Sequence, residues 1–253
     1  MNNKTLTLKM KRAISELRSG GTVVISDNSF GTSVLLMSAE LIEKESVKKL
    51  SDLALSRPNI ILSSNRCNAI GIEVTNQPCS ILIENSWTMN DILSLCMPLT
   101  GHKIPTINGV ISENNTSIIS YCLLILRQSR LLPAGLMSII SNVAPETINQ
   151  WTFKNNFIHV DVNDIKSYEQ RSAESLVMAV RAKVPIAETE NCEVIIFRPQ
   201  DGGDEHFCLL FGETRNVLNI TKHKHIPLVR VHSQCITGDV LESLKCDCLQ
   251  FKN

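Results

Sequence analysis

A chain of 253 residues suffices for one large domain or two modest ones, and with 43% apolar residues it can bury a sizeable core. Aromatic residues make up only 4%, so that core must be mostly Ile, Leu and Val. Lys+Arg and Asp+Glu balance at 25 each, which argues against tracking a phosphate backbone or holding an acidic membrane surface, since both need a cationic surplus.

Residues 1–12, MNNKTLTLKMKR, lack the apolar centre of a secretory signal. The longest aliphatic run, Ile118 to Leu126, falls short of the roughly 20 residues of a membrane span and reads as a buried helix. The nine cysteines are odd in number and scattered. Reduced thiols in a cytoplasmic setting are expected, and disulfides are not. Cys67, Cys79, Cys96, Cys122, Cys192 and Cys208 stand alone among aliphatic residues and read as small core residues.

In chain order, Leu6, Met10, Ala13, Ile14 and Leu17 recur at helical spacing, and Gly20-Gly21 stop that helix. A strand over Thr22–Ser26, a turn over Asp27–Gly31 and a strand over Ser33–Ala39 follow. The pattern then predicts a helix over Glu45–Ser56, strands over Asn59–Ser63 and Ser80–Glu84, and a helix over Thr88–Leu95. Thr88 is placed to cap that helix, with Asp91 three residues on. Gly101–Pro105 reads as a loop, Thr116–Gln128 as a long apolar helix, and Leu136–Ser141 as a buried strand after the Pro133-Ala134-Gly135 break. Ala144–Asn155 is helical, Phe157–Val160 a strand, and Asn163 is expected to cap a helix over Asp164–Gln170. Alternating helices and strands of this kind imply a layered α/β domain.

This order of pieces, over about residues 5–175, resembles 3,4-dihydroxy-2-butanone 4-phosphate synthase, an enzyme of riboflavin synthesis. The resemblance is carried by AISELRSGGTVVISDN, GHKIP, LLPAG and FIHVDVNDIKSYEQ. It implies that family's fold for residues 1–175, but its chemistry does not carry over. The family's acidic loop holds a divalent metal and an enediol, because a hard cation wants several oxygens. Here the loop reads SDNSFGTSVLL, and Asp27 alone survives. Asn115 stands where the family has a metal-ligand histidine. No Mg2+ is expected in this degenerate domain. His102 reads as a packing residue, since a phosphate or metal contact needs convergent partners. Asp27 reads as a turn residue.

From about Leu176 the texture changes. An extended stretch from Val177 ends at Pro185, and strands are expected over Cys192–Phe197 and His206–Gly212 around an Asp201-Gly202 turn. A polar loop over Thr214–Lys224 and a third strand over Pro227–Val231 follow. This is a small, mainly antiparallel β unit. It leads into VRVHSQCITGDVLESLKCDC, which holds Cys235, Cys246 and Cys248. In an extended chain, residues two apart share a face, so Cys246 and Cys248 can both reach one metal. Thr237 is read as the cap of a helical turn through Glu242 that folds Cys235 back toward them. Three thiolates with an open fourth position suit zinc, which activates a bound water near neutral pH.

That string closely resembles the zinc motif of GTP cyclohydrolase II, and VRAKVPIA and DGGDEHFCLLFGE fit the same family's opening strands. The resemblance covers residues 176–253. It implies zinc-dependent hydrolysis of GTP to formate, diphosphate and a diaminopyrimidine ribosyl phosphate. By resemblance Cys235, Cys246 and Cys248 are the zinc ligands, and Arg230, Val231, His232, Ser233 and Gln234 contact the GTP, with Arg230 offering a charged donor fork to phosphate. Gln234 replaces the family's usual Glu, and Leu249 its usual Gly. The family's later E-G-R contact, acid-base Asp and phosphoryl-step Arg have no counterpart before Asn253. The expectation is therefore a truncated cyclohydrolase that does not turn over by itself. The alternative is a non-catalytic scaffold or dimerisation pseudoenzyme with a vestigial zinc- and GTP-binding tail. Both resemblances imply a homodimer.

Overall fold

The computed structural model describes residues 3–98, 103–112, 117–186, 189–200, 203–212, 228–233 and 235–246. Two compact units are present: Met1–Leu176 with Pro199–Gly202, and Val177–Arg198 with Gly203–Asn253.

The first unit opens with helix α1, Asn3–Arg18. Its Leu6, Met10, Ala13 and Leu17 are buried along one stripe, as the periodicity predicts. Gly20 ends it at φ 79°, and the Gly21 N–H donates to the Glu16 carbonyl at 2.9 Å. This closes the last turn through a left-handed residue that glycine adopts without strain. Strands β1 (Val23–Asp27) and β2 (Thr32–Ser38) form a hairpin. There follow α2 (Ser46–Ala54), β3 (Asn59–Leu62), α3 (Ser64–Ala69), β4 (Cys79–Leu82), α4 (Met89–Cys96), β5 (Val110–Ser112), α5 (Ile118–Gln128), β6 (Ala134–Ile139), α6 (Ile148–Lys154), β7 (Ile158–Asp161) and α7 (Val162–Glu174).

The seven strands lie in the order β5-β4-β3-β6-β2-β1-β7. Only β1 and β7 run parallel; the other pairs are antiparallel. Alternate residues of one strand enter opposite cores, as the two-residue period requires. Val24 packs with Leu50, Ile92 and Leu95 on one face. Val23 and Ile25 pack with Met10, Leu17 and Leu126 on the other. The result is a layered α/β unit with helices on both faces of a mixed sheet.

Local chemistry sets the element ends. Thr88 and Asp91 form the predicted capping box: the Asp91 N–H donates to Thr88 Oγ1 and the Thr88 N–H to Asp91 Oδ2. Asp161, not Asn163, caps α7, because its Oδ1 accepts the Asn163 N–H at 2.9 Å. The α3 helix and the β5 strand were not predicted. The predicted helix over 144–155 begins as a 3-10 turn at Pro145–Thr147. Cys67 and Cys79 meet with their Cα atoms 7.2 Å apart, wider than a disulfide spans; both residues are fully buried in one core where α3 meets β4. Cys96, Cys122 and Cys192 are free and buried, as expected, and burial pushes the Cys96 thiol up to about 12.

The second unit holds a three-stranded sheet in the order β10-β9-β8, from β8 (Leu176–Lys183), β9 (Cys192–Pro199) and β10 (His206–Phe211). β9 and β10 pair antiparallel. Arg181 grips Glu193 Oε2 from Nε at 2.9 Å and Nη2 at 2.6 Å. Phe207, Leu209 and Phe211 leave one row of β10 exposed. The polar loop expected over 214–224 lies outside the described residues. Among the described residues no helix is long and apolar enough to cross a membrane.

At the sheet edge, His159 Nε2 lies 2.6 Å from Ser26 Oγ and Nδ1 lies 2.8 Å from Asn149 Oδ1. The amide oxygen accepts from Nδ1–H, and in the neutral ring Nε2 then accepts the serine proton. Ser26 is only 1% exposed, so this Ser–His–Asn chain is a structural polar network closed to substrate. Burial holds His159 down to about 4, and Lys9 adds to that, while Asp161 and Asp164 pull the other way.

Two outcomes are expected. A Cβ at Gly135 would sit 2.7 Å from the Met37 carbonyl oxygen in mid-sheet, so Gly135→Ala should lower stability by about 1–3 kcal/mol in a denaturant titration; an unchanged midpoint contradicts the close approach. Because the folded His159 binds its proton less readily than the free side chain, stability is complete above about pH 6.5 and is lost as the pH falls toward 4, by roughly 1–3 kcal/mol after discounting for partial exposure. Thermal midpoints at pH 7 and pH 5 should differ less for His159→Gln than for the parent chain; an equal difference removes His159 as the cause.

Candidate functional site

Among the described residues, those before the cysteine turn belong to no strand. Leu228–Val231 therefore do not form the expected third strand: Leu228 is 100% and Val231 91% exposed. Alternating Val-Arg-Val supplies strand propensity, and that propensity takes effect only against neighbouring strands. Arg230, Val231, His232 and Ser233 lie on this exposed stretch.

At Cys235 the chain turns. Ile236–Val240 form a wide helical turn, with the Leu241 N–H donating to the Ile236 carbonyl at 3.0 Å. Glu242 takes φ 50° and reverses the direction. The Ser243 N–H then reaches the Thr237 carbonyl at 2.8 Å, and the Cys246 N–H reaches the Ser243 carbonyl at 3.0 Å. These bonds return Cys246 to Cys235 and bring the two sulfurs within 3.5 Å.

Thr237 does not cap the turn as expected. Its hydroxyl faces the sulfurs, 3.1 Å from Cys235 Sγ and 3.9 Å from Cys246 Sγ. Asp239 does the capping: Oδ2 accepts the Cys235 N–H at 3.0 Å. The same carboxylate lies 3.0 and 3.1 Å from His232 Nε2. The Cys235 N–H, and then His232, hold the Asp239 carboxyl below the usual carboxylate range. Asp239 was missed at the sequence level. Its signal is an acid one helical turn beyond a cysteine that opens a turn.

The structure thus brings together Cys235 and Cys246 of the predicted thiolates. Cys248, Gln234 and Leu249 lie outside the described residues, and among the described residues no group of three or more His, Cys, Asp or Glu could hold a metal ion. The geometry of the thiol pair can be tested against a shared ion. With metal–sulfur bonds of about 2.3 Å, a tetrahedral site separates two sulfurs by about 3.8 Å. The observed 3.5 Å is close to that edge, so the pair fits a soft tetrahedral cation.

In the first unit, Asp27 is buried, and its Oδ1 accepts the Ser29 N–H at 2.9 Å inside the tight β1–β2 turn. It is a turn residue, as its sequence context predicts. His102 and Asn115 lie outside the described residues.

The sequence model of the GTP cyclohydrolase II family matches residues 177–252. A GTP cyclohydrolase-2 of Azospirillum brasilense is 28% identical over 94% of this chain and 60% of its own length. A riboflavin biosynthesis protein RibBA of Chlamydia muridarum is 29% identical over 58% of this chain and 34% of its own length. The chain thus spans less than two thirds of the length of these curated relatives. Among solved structures, RibBX of A. baumannii, a two-domain 3,4-dihydroxy-2-butanone 4-phosphate synthase, superimposes with a TM-score of 0.52 at 14% identity over 95% of this chain and 78% of that one. A 3,4-dihydroxy-2-butanone 4-phosphate synthase in complex with two magnesium ions superimposes with a TM-score of 0.52 at 11% identity over 65% of this chain and 97% of that one; both likenesses are of fold. The chain is similar to riboflavin-biosynthesis proteins of the GTP cyclohydrolase II kind, with the cyclohydrolase match in residues 177–252 and a 3,4-dihydroxy-2-butanone 4-phosphate synthase-like fold.

Proposed function

We propose that Cys235, Cys246 and Cys248 hold one zinc ion and that Arg230, Val231, His232, Ser233 and Gln234 form one side of a GTP site. The approach of Cys235 and Cys246 to 3.5 Å, inside the segment matched to the cyclohydrolase family, carries this reading. Zinc held there supplies Lewis acidity for hydrolytic opening of a purine ring with release of formate. The chain's own residues hold the nucleotide and the sulfurs. The Arg230 guanidinium offers planar paired donors to a phosphate. His232 is oriented by Asp239, and the Thr237 hydroxyl stabilises negative charge on sulfur. The reading for these 253 residues is binding of zinc and GTP without sustained turnover, since the curated relatives are longer than the part matched here and positioning and proton transfer supply much of the rate. Homodimerisation belongs to the reading, and the exposed row of Phe207, Leu209 and Phe211 supports self-association.

For the first unit a scaffold role is the second reading. Its support is Asp27, the one retained acid of the turn, whose carboxylate is occupied by the Ser29 N–H. An intact layered core without an acidic loop serves for folding and association rather than for divalent-metal chemistry.

The test is purified chain incubated with zinc and GTP, with metal content and formate both measured. One zinc per chain, absent from Cys246→Ser, and no formate beyond background are expected. Zinc well below stoichiometric and unchanged by the substitution overturns the ligand set. Sustained formate release overturns the inactivity of the chain.

A further inference from the structure

We propose that Asp239 is a positioning residue for the metal, fixing the direction in which Cys235 presents its sulfur and tying His232 to the same turn. The proposal rests on the reading of Cys235 and Cys246 as zinc ligands.

Cys235 is bound to residue 239 through both of its backbone polar groups. Its N–H donates to Asp239 Oδ2 at 3.0 Å, and its carbonyl accepts the Asp239 N–H at 2.7 Å. A residue held at both ends has little freedom to rotate either flanking peptide, so its Cα–Cβ direction is set before a metal arrives, and the Thr237 hydroxyl 3.1 Å from Sγ holds the remaining rotation. The carboxylate also receives His232 from the stretch before the turn. One side chain therefore joins the ligand turn to the segment proposed to meet the nucleotide. A carboxylate beside two sulfurs adds negative charge where thiolates already repel, and an acid at this place needs a compensating role. Orienting a ligand through its backbone is such a role, and loss of outer partners of this kind lowers metal affinity by about ten- to a hundredfold.

The experiment titrates the full chain with Co2+ alone and follows the thiolate-to-cobalt charge-transfer absorption and the visible bands of tetrahedral cobalt, with circular dichroism as a control on folding. The parent chain should show both features, and Cys246→Ser should lose the thiolate absorption. Asp239→Ala should bind about ten- to a hundredfold more weakly and, at saturation, show altered visible bands. Asp239→Asn keeps an acceptor for the Cys235 N–H and should recover most of the affinity. Asp239→Glu keeps the charge but displaces the oxygens by one methylene, and should bind about tenfold more weakly; it decides the matter if the Ala variant does not fold. Parent-like affinity and bands in Asp239→Ala, or parent-like affinity in Asp239→Glu, overturn the positioning role while leaving the thiolate site standing. An Asn variant as weak as the Ala variant places the charge itself at the metal and also overturns it. Absence of thiolate absorption in the parent chain overturns the underlying zinc reading.

Discussion

Two sulfurs 3.5 Å apart, on residues 235 and 246, are the constraint around which the C-terminal segment is arranged. As thiolates they repel one another, and that repulsion is relieved by a proton, by hydrogen-bond donors or by a shared cation. The segment already provides a donor, the Thr237 hydroxyl, and a rigid turn that holds the sulfurs at this separation. The turn depends in turn on Asp239, which carries the Cys235 backbone and His232 on one carboxylate. A tetrahedral cation would convert the unfavourable contact into the centre of the segment, and metal binding would then stabilise the fold that presents it.

The first unit is built on its apolar cores. Its sheet and two cores are complete, with β2 and β6 at the centre and helices over both faces. Four residues, Asn28–Gly31, join β1 to β2, and Asp27 turns its carboxylate onto the Ser29 N–H. The nearby His159 network is satisfied internally and neutral. Fold and chemistry separate here because the core depends on alternating apolar residues of the strands, which the loop does not touch.

Much of this architecture was legible in the sequence wherever a physical signal was long or locally redundant. The stripe from Leu6 to Leu17 and the Thr88–Asp91 box were readable because periodicity or reciprocal hydrogen bonds specify them locally. Helix α3 and strand β5 were not: six and three residues carry too little pattern, and both exist through tertiary packing. Asp161 and Asn163 are equally good caps on paper, and only the entry angle of the chain from β7 chose the former. Cys67 and Cys79 share a buried corner, which no spacing rule reveals. The approach of Cys235 and Cys246 was readable from their motif. Its internal support was not, because Thr237 suits a cap and a sulfur donor alike, and Asp239 gains meaning only once the turn is closed.

The central claim is that three cysteine sulfurs of this chain gather around one zinc. X-ray absorption at the zinc edge on the purified, zinc-loaded chain tests it most directly, because it counts ligand atoms and does not depend on turnover. The account predicts three sulfur neighbours at about 2.3 Å with one lighter atom completing the shell. A shell of oxygen and nitrogen alone, or one with fewer than three sulfurs, contradicts it.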